Sequence, residues 1–580
     1  MMDKRWQKRI YLVYILLIIV GILGYGIQKV CCFSLFPDEF GYWASAAHLS
    51  GYDWRETASL GSYYSFGYGF LLFPILKLSP DGITAYRAAI ILNAVLMCGA
   101  LWLLQGIVRE LFPKENEVER VFCAAIAVLY PSWIFYMQMT MTEALLMFLL
   151  IVMVRLLIRL LKKPGIFAAV GLAVMCAFLY SVHMRTVGVV SACIIVLYVW
   201  VATNPRAKGA ALIFLGVLLV AGIWMVWFKG YITKEVFTYA AKESLANNDY
   251  GGIWSKLQNM MSLKGLIHLA AGIAGKIFYL GLASFGLFYW AMGWSFRGMA
   301  ELLDSVLRKK ETRVEALIGL FLFMTALIEA IISSVYMGRD NSIDGLIYGR
   351  YNDFLVPVFM VTGICVMKRS RRFLRRTALS GTALGIMSFL LFILVEKEKR
   401  TGLRGYMAVG ISYLIPREGF TPLFFFFGTW IFGVVLMLFT AVLLWQSSRR
   451  EYREWMAGGI LILEVVLGIY SSHKYIYSSN ETHFIDKAVA DTIKREADGE
   501  ENVFYLKEDG SRYIDAIQMM LGERTVKVMK EEDFFDQEQE VDFLITVKWT
   551  KHEDKLREIY EKRVETNTFI LYCHIKDHGA

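Results

Sequence analysis

Two adjacent carboxylates, Asp38 and Glu39, lie in the stretch Phe36-Pro37-Asp38-Glu39-Phe40-Gly41-Tyr42-Trp43-Ala44, just after the first apolar run of the chain. Acids at a membrane boundary are costly unless they meet water or do chemistry. A carboxylate there can serve a hydroxyl nucleophile as general base or electrostatic partner. The same acids also suit a plain helix start, with Pro37 in its first position and the dipole favouring anions. Glu143, in Met139-Thr140-Met141-Thr142-Glu143, opens a later apolar run and carries the same two readings. Cations accompany the acids: His183 and Arg185 at the end of one apolar run, and Arg350-Tyr351 at the start of another. Guanidinium binds phosphate in a forked geometry, so Arg185 and Arg350 can meet a phosphate at headgroup level, whereas Arg87 reads as snorkelling. Tyr42, Tyr63 and Tyr64, with Trp43, Tyr52, Trp54 and Tyr68, can stack on sugar rings or form an interfacial belt. His48, His183 and Glu143 lack metal-ligand spacing, so no cofactor is called for; ligands converging from distant loops leave a divalent ion open.

The elements that must position these residues are membrane helices. The chain has 580 residues, 57% of them hydrophobic, and a mean hydropathy of +0.47, which marks an α-helical polytopic membrane protein. About thirteen spans are expected, near 10–30, 83–108, 121–138, 143–161, 165–183, 187–203, 209–229, 266–292, 314–336, 353–367, 376–395, 423–446 and 455–472. Lys4, Arg5, Lys8 and Arg9 precede the first, which reads as an uncleaved signal anchor. Alternate loops hold clusters such as Arg109/Lys114/Arg120, Lys162/Lys163, Arg308/Lys309/Lys310 and Lys368-Arg369-Ser370-Arg371-Arg372. The basic side is cytoplasmic by the positive-inside rule, so the N-terminus is expected inside and the C-terminus outside the cell membrane. The basic excess therefore implies no nucleic acid.

The first outer loop, 31–82, holds two half-apolar, aromatic-rich stretches, Pro37–Leu49 and Phe66–Leu78, expected as helices lying in the membrane interface. Residues 1–472 form the membrane domain. Residues 473–580 read as a small extracytoplasmic α/β domain, with strands near 503–507, 525–529, 541–548 and 568–574 and helices near 484–497, 512–521 and 552–563. From Ser472 onward 16 basic residues face 24 acidic ones. Asn480-Glu481-Thr482 matches a glycosylation sequon, a triplet common by chance, and Cys31-Cys32 reads as packing rather than as a redox or lipidated pair.

With these motifs in place the chain resembles the GT-C superfamily of membrane glycosyltransferases, in the branch of the protein O-mannosyltransferases and the lipid A aminoarabinose transferase. Pro37-Asp38-Glu39-Phe40-Gly41-Tyr42 is similar to the Pro-Asp-Glu-x-x-Tyr-Ala pattern of that transferase, Tyr63-Tyr64-Ser65-Phe66-Gly67-Tyr68 to a following Tyr-Tyr element, and Arg350-Tyr351 with Pro357 to a late Arg-Tyr element. Gly41 departs from the pattern, which has a basic residue there.

The resemblance implies an inverting glycosyltransferase. Its donor is a sugar on a polyprenyl phosphate and its acceptor a hydroxyl on a lipid, glycan or protein. Asp38 takes the position of the catalytic carboxylate, with Glu143 as a second acid. Glu39, Tyr42, Tyr63, Tyr64, His183, Arg185, Arg350 and Tyr351 fall on the donor side. The rival readings are a flippase or transporter, or a polymerase, of lipid-linked oligosaccharide.

Overall fold

The computed structural model describes residues 4–61, 64–240, 253–308, 310–337, 342–416, 419–447, 453–497, 501–508, 514–536 and 541–574. The protein is a polytopic α-helical membrane protein with a small C-terminal α/β domain. Among the described residues ten helices are long and apolar enough to cross a membrane, or eleven if one bent pair is a single span.

The three expected spans that do not qualify alone share a cause. The span at 121–138 is broken into α6 (Glu117–Val128) and α7 (Pro131–Met137), bent by 64°. Pro131 sits in the first turn of α7, where its missing N–H costs nothing but a continuous helix is interrupted. The span at 165–183 is the 17-residue α9 (Ile166–Val182), and the one at 353–367 is a 13-residue helix, Val356–Lys368. At 1.5 Å per residue these reach roughly 26 and 20 Å, short of the ~30 Å apolar layer. All three stop beside the candidate site: α7 leads to Thr140 and Glu143, α9 to His183 and Arg185, and Val356–Lys368 follows Arg350 and Asp353. The site is thus recessed at the truncated ends of these helices. The stretch expected at 266–292 is also interrupted, at Ser284-Phe285-Gly286, where Phe285 and Gly286 take φ of 51° and 81°.

The basic loops gather at one end. Lys8 pairs with Glu117 at 3.4 Å, Lys162 with Glu110 at 3.6 Å, and Lys368 with Glu115 at 2.8 Å. Asn204 donates to Glu311 at 3.3 Å. The first loop and the C-terminal domain lie together at the opposite end. Trp54 Nε1 donates to the Gly522 carbonyl at 2.8 Å, Thr525 Oγ1 to the Asp53 carbonyl at 2.9 Å, and the Val528 N–H to Glu56.

Within the first loop, α2 (Asp38–Ser50) differs from the expected surface helix. Every residue from Glu39 to Ala47 is buried in protein. The helix is apolar nearly all round, so it is packed on all sides, against α4 (Gly69–Leu78) and α5 (Gly82–Leu111) among others. Gly82 abuts the Met519 carbonyl so closely that a Cβ would lie 1.8 Å from it, which ties the start of α5 to the C-terminal domain.

The C-terminal domain has no linker ahead of it. The last span runs through a π-helical turn, His473–Tyr477, into Ser478–Glu496 as one rod. The sheet that follows has strands β1 (Val503–Lys507), β2 (Val526–Lys530), β3 (Phe543–Val547), β4 (Lys562–Glu565) and β5 (Phe569–Cys573) in the order β2-β1-β3-β5-β4. β1 pairs parallel with β2 and β3, while β5 is antiparallel to β3 and β4. The helix expected to reach residue 563 ends at Ile559, because 562–565 pair as the edge strand β4.

Two minor motifs are resolved by burial. Asn480 is fully buried, its Oδ1 accepting from the backbone N–H groups of Cys31 and Cys32 at 2.8 and 3.0 Å and its amide donating to the Ile476 carbonyl. A glycan has no access to it. Burial pushes the Cys31 thiol up to about 11 and raises the Cys32 thiol well above its ordinary value, so neither is a thiolate at neutral pH. A maleimide applied to the folded protein is therefore expected to leave Cys31 and Cys32 unlabelled by peptide mass mapping. Rapid labelling of either would contradict this packing.

Candidate functional site

Three distant segments meet at Arg350. Its Nε donates to Glu143 Oε1 at 2.9 Å and its Nη2 to Asp38 Oδ2. Arg185 Nη2 reaches the same Glu143 oxygen at 3.2 Å. Glu143 is fully buried, Arg185 and Arg350 are each 4% exposed, and the Asp38 side chain is the most open of the four at 19%. Two acids and two guanidinium groups balance in charge, which is the condition for keeping such groups out of water. The Arg350 guanidinium also lies over the Phe36 ring at 4.4 Å and that of Arg185 over Tyr351 at 4.6 Å.

Each group is set by its local chain. Asp38 opens α2, and Glu143 lies in the first turn of α8 (Thr142–Lys162). Arg185 occupies a single 3-10 turn between α9 and α10 (Val187–Thr203), capped by the His183 ring, which accepts from the Arg185 N–H at 3.3 Å. Arg350 lies in a non-helical turn whose backbone N–H groups at Gly349 and Arg350 both reach the Met407 carbonyl.

The acids of the pair take different places. Asp38 faces Arg350, whereas Glu39 is fully buried and accepts from Tyr86 OH at 2.6 Å, from the Thr140 N–H and hydroxyl at 2.8 Å, and from the Ser34 N–H and hydroxyl. Burial raises the Glu39 carboxyl above its usual range, against the pull of those donors. Five protein donors fill Glu39, so it clamps α2 to α5 and to the Thr140 turn. Trp43 Nε1 strengthens that clamp with a 3.0 Å bond to Thr140 Oγ1.

Among the aromatics, Tyr42 is buried with its hydroxyl 3.5 Å from Thr142 Oγ1, and its ring meets Tyr64 edge-on at 5.8 Å. Burial first, and the nearby Asp38 carboxylate second, raise the Tyr64 hydroxyl above its usual range. Tyr63 lies outside the described residues. Tyr351 packs edge-on against His183 at 5.7 Å. Gly41 is where the Tyr64 ring rests: a Cβ there would come within 1.9 Å of Tyr64 Cδ2. The space that a basic side chain would need is filled by that ring. Gly41→Ala is expected to cost about 1–3 kcal/mol through overpacking or to turn Tyr64 away from Asp38. Thermal unfolding in nanodiscs checks the first and turnover the second; wild-type values for both would show that the ring has room.

Three charged residues that the motifs did not single out support the site. Asp353 is fully buried and accepts from Tyr130 OH at 2.6 Å, from Tyr136 OH at 3.2 Å and from Tyr279 OH. It anchors the turn that carries Arg350. Lys276 is fully buried and donates to the Gly345 and Leu346 carbonyls at 2.8 and 2.9 Å, pinning the chain just before that turn. Glu329 accepts from the Val189 N–H at 3.1 Å and so caps α10 from another helix, one turn beyond Arg185. The available signal was the rule that an ionisable residue in an apolar run calls for a partner: Lys276 and Glu329 are such residues in Leu263–Ala283 and Val314–Met337.

No family profile and no curated protein matches the chain. Solved structures do. The crystal structure of ArnT from Cupriavidus metallidurans bound to undecaprenyl phosphate superposes with a TM-score of 0.53 at 10% identity, covering 99% of this chain and 99% of that one. Its apo form gives 0.52 at 10% identity, with 97% of each chain covered. The fold is similar to that of the two ArnT structures. The likeness runs through both the membrane helices and the C-terminal domain, since nearly the whole of each chain is matched.

Proposed function

We propose that the protein is an inverting glycosyltransferase that moves a sugar from a polyprenyl-phosphate donor to an acceptor hydroxyl at the extracytoplasmic face of the cell membrane. The observation that carries this reading is the meeting of Asp38, Glu143 and Arg350 from three separate segments at the recessed ends of short helices. A flippase needs no such acid beside an arginine at a membrane boundary. The bound undecaprenyl phosphate of the structural relative supports the donor class.

In this mechanism the acceptor hydroxyl gives its proton to Asp38 as its oxygen attacks the anomeric carbon from the face opposite the phosphate. The new C–O bond forms as the bond from the anomeric carbon to the phosphate oxygen breaks. Polyprenyl phosphate leaves with the electron pair, and the anomeric configuration inverts. Arg350, with His183 nearby, meets the charge that grows on the leaving phosphate. Asp38 is the right acid for the proton because it is the most open of the cluster and sits at the rim. Tyr42, Tyr64 and Tyr351 wall the sugar, and the donor's tail lies among the membrane helices.

The test is mass spectrometry of surface glycolipids and glycans from cells with and without the protein. It is paired with transfer by the purified protein in nanodiscs from a panel of polyprenyl-phosphate sugars. A missing glycoform and sugar transfer in vitro are expected. Lipid movement across the bilayer without any transfer would replace this reading with a flippase.

A further inference from the structure

The Glu143–Arg185 pair is left incomplete. Guanidinium and carboxylate normally form a two-point fork. Here one contact, Arg185 Nη2 to Glu143 Oε1, is made, and that oxygen is shared with Arg350. Glu143 Oε2, Arg185 Nε and Arg185 Nη1 are all buried and have no hydrogen-bond partner among the described residues. Buried polar atoms rarely stay unpaired in a folded protein. One ion pair thus presents an open acceptor and two open donors.

We infer that Glu143 and Arg185 form a subsite for a neutral sugar hydroxyl of the donor, separate from the phosphate subsite at Arg350; this rests on the glycosyltransferase reading. A hydroxyl carries one donor and two acceptor lone pairs, so it can give its proton to Glu143 Oε2 and accept from Arg185. A phosphate would satisfy Arg185 but press its charge on the open carboxylate oxygen. An ammonium would satisfy Glu143 but meet the guanidinium. The surroundings hold the pair in place. The Tyr351 and Phe354 rings lie 4.6 and 5.6 Å from the Arg185 guanidinium, and His183 caps its turn. Arg185 therefore reads the sugar, while Arg350, which already bridges both acids, answers the phosphate.

The experiment compares binding of citronellyl phosphate with that of its glucosyl and mannosyl esters to the full-length protein in nanodiscs. In the wild-type protein at least one glycosyl ester is expected to bind more tightly than citronellyl phosphate. Removing its sugar hydroxyls one at a time should erase that advantage at one position, by roughly ten- to a hundredfold for a hydrogen bond to charged groups. Arg185→Lys and Glu143→Gln should each lose that advantage of the glycosyl ester over citronellyl phosphate, read as the ratio of the two affinities in the same variant, whatever change they bring to the phosphate binding common to both ligands. An equal loss for both ligands would assign the pair to phosphate. Equal binding of every deoxy ester would mean that water alone fills the gap, and either result overturns the inference. The deoxy series uses the wild-type protein, so it holds even where a variant fails to fold. Failure of the wild type to bind any of these lipids would instead sink the glycosyltransferase reading itself.

Discussion

Asp38→Asn is expected to lower turnover about 10²- to 10⁴-fold, the usual worth of a positioned general base. The amide oxygen of asparagine can still accept from Arg350 Nη2, and the side chain is the least buried of the four charged groups, so the fold should survive. Donor binding should therefore stay close to wild type while the chemical step fails. Single-turnover transfer from a radiolabelled polyprenyl-phosphate sugar, measured beside equilibrium binding of the same lipid, separates the two. Unchanged transfer by this variant would remove Asp38 from the role of base.

Arg350→Met is expected to do more damage, and to the fold as well as the reaction. Arg350 is the only group that touches both Asp38 and Glu143 among the described contacts, and Glu143 has no access to water. Removing one member of a buried ion pair typically costs about 3–5 kcal/mol, because the partner charge is left behind. Arg350→Lys should keep part of the stability but not the two-point geometry. The double variant Arg350→Met with Glu143→Gln should recover a large part of the loss, since the stranded carboxylate is gone. Thermal unfolding of the four proteins in nanodiscs measures this cycle. A strictly additive result would mean that Arg350 and Glu143 do not hold each other.

The acids and arginines of the site were legible in the chain because each is an expensive residue at an apolar boundary. What was not legible was their division of labour. Asp38 and Glu39 are chemically alike and adjacent, yet one faces an arginine at the rim and the other is filled by Tyr86, Thr140 and Ser34. Consecutive residues of a helix point about 100° apart, and which direction leads to the cluster depends on where α5 and the Thr140 turn lie. Asp353, Lys276 and Glu329 escaped for a related reason: each supports the site through a backbone or tyrosine partner that is remote in sequence. The span count erred where the site intrudes. Hydropathy measures apolar length and cannot see that a run is bent or ends early to make room for charge.

The residues alone specify a membrane protein with basic clusters in alternate loops, all on one side, a C-terminal α/β domain, and acids and arginines that had to find partners. Those follow from transfer free energies and periodicity, which are local properties. Packing of the folded chain is what makes Asp38, Glu143, Arg185 and Arg350 one cluster and buries α2 instead of leaving it on a lipid surface. It also decided that the Tyr64 ring occupies the space over Gly41. Those are facts about which surfaces meet. They depend on helix ends and turns several hundred residues apart coming to the same depth, which no local rule encodes.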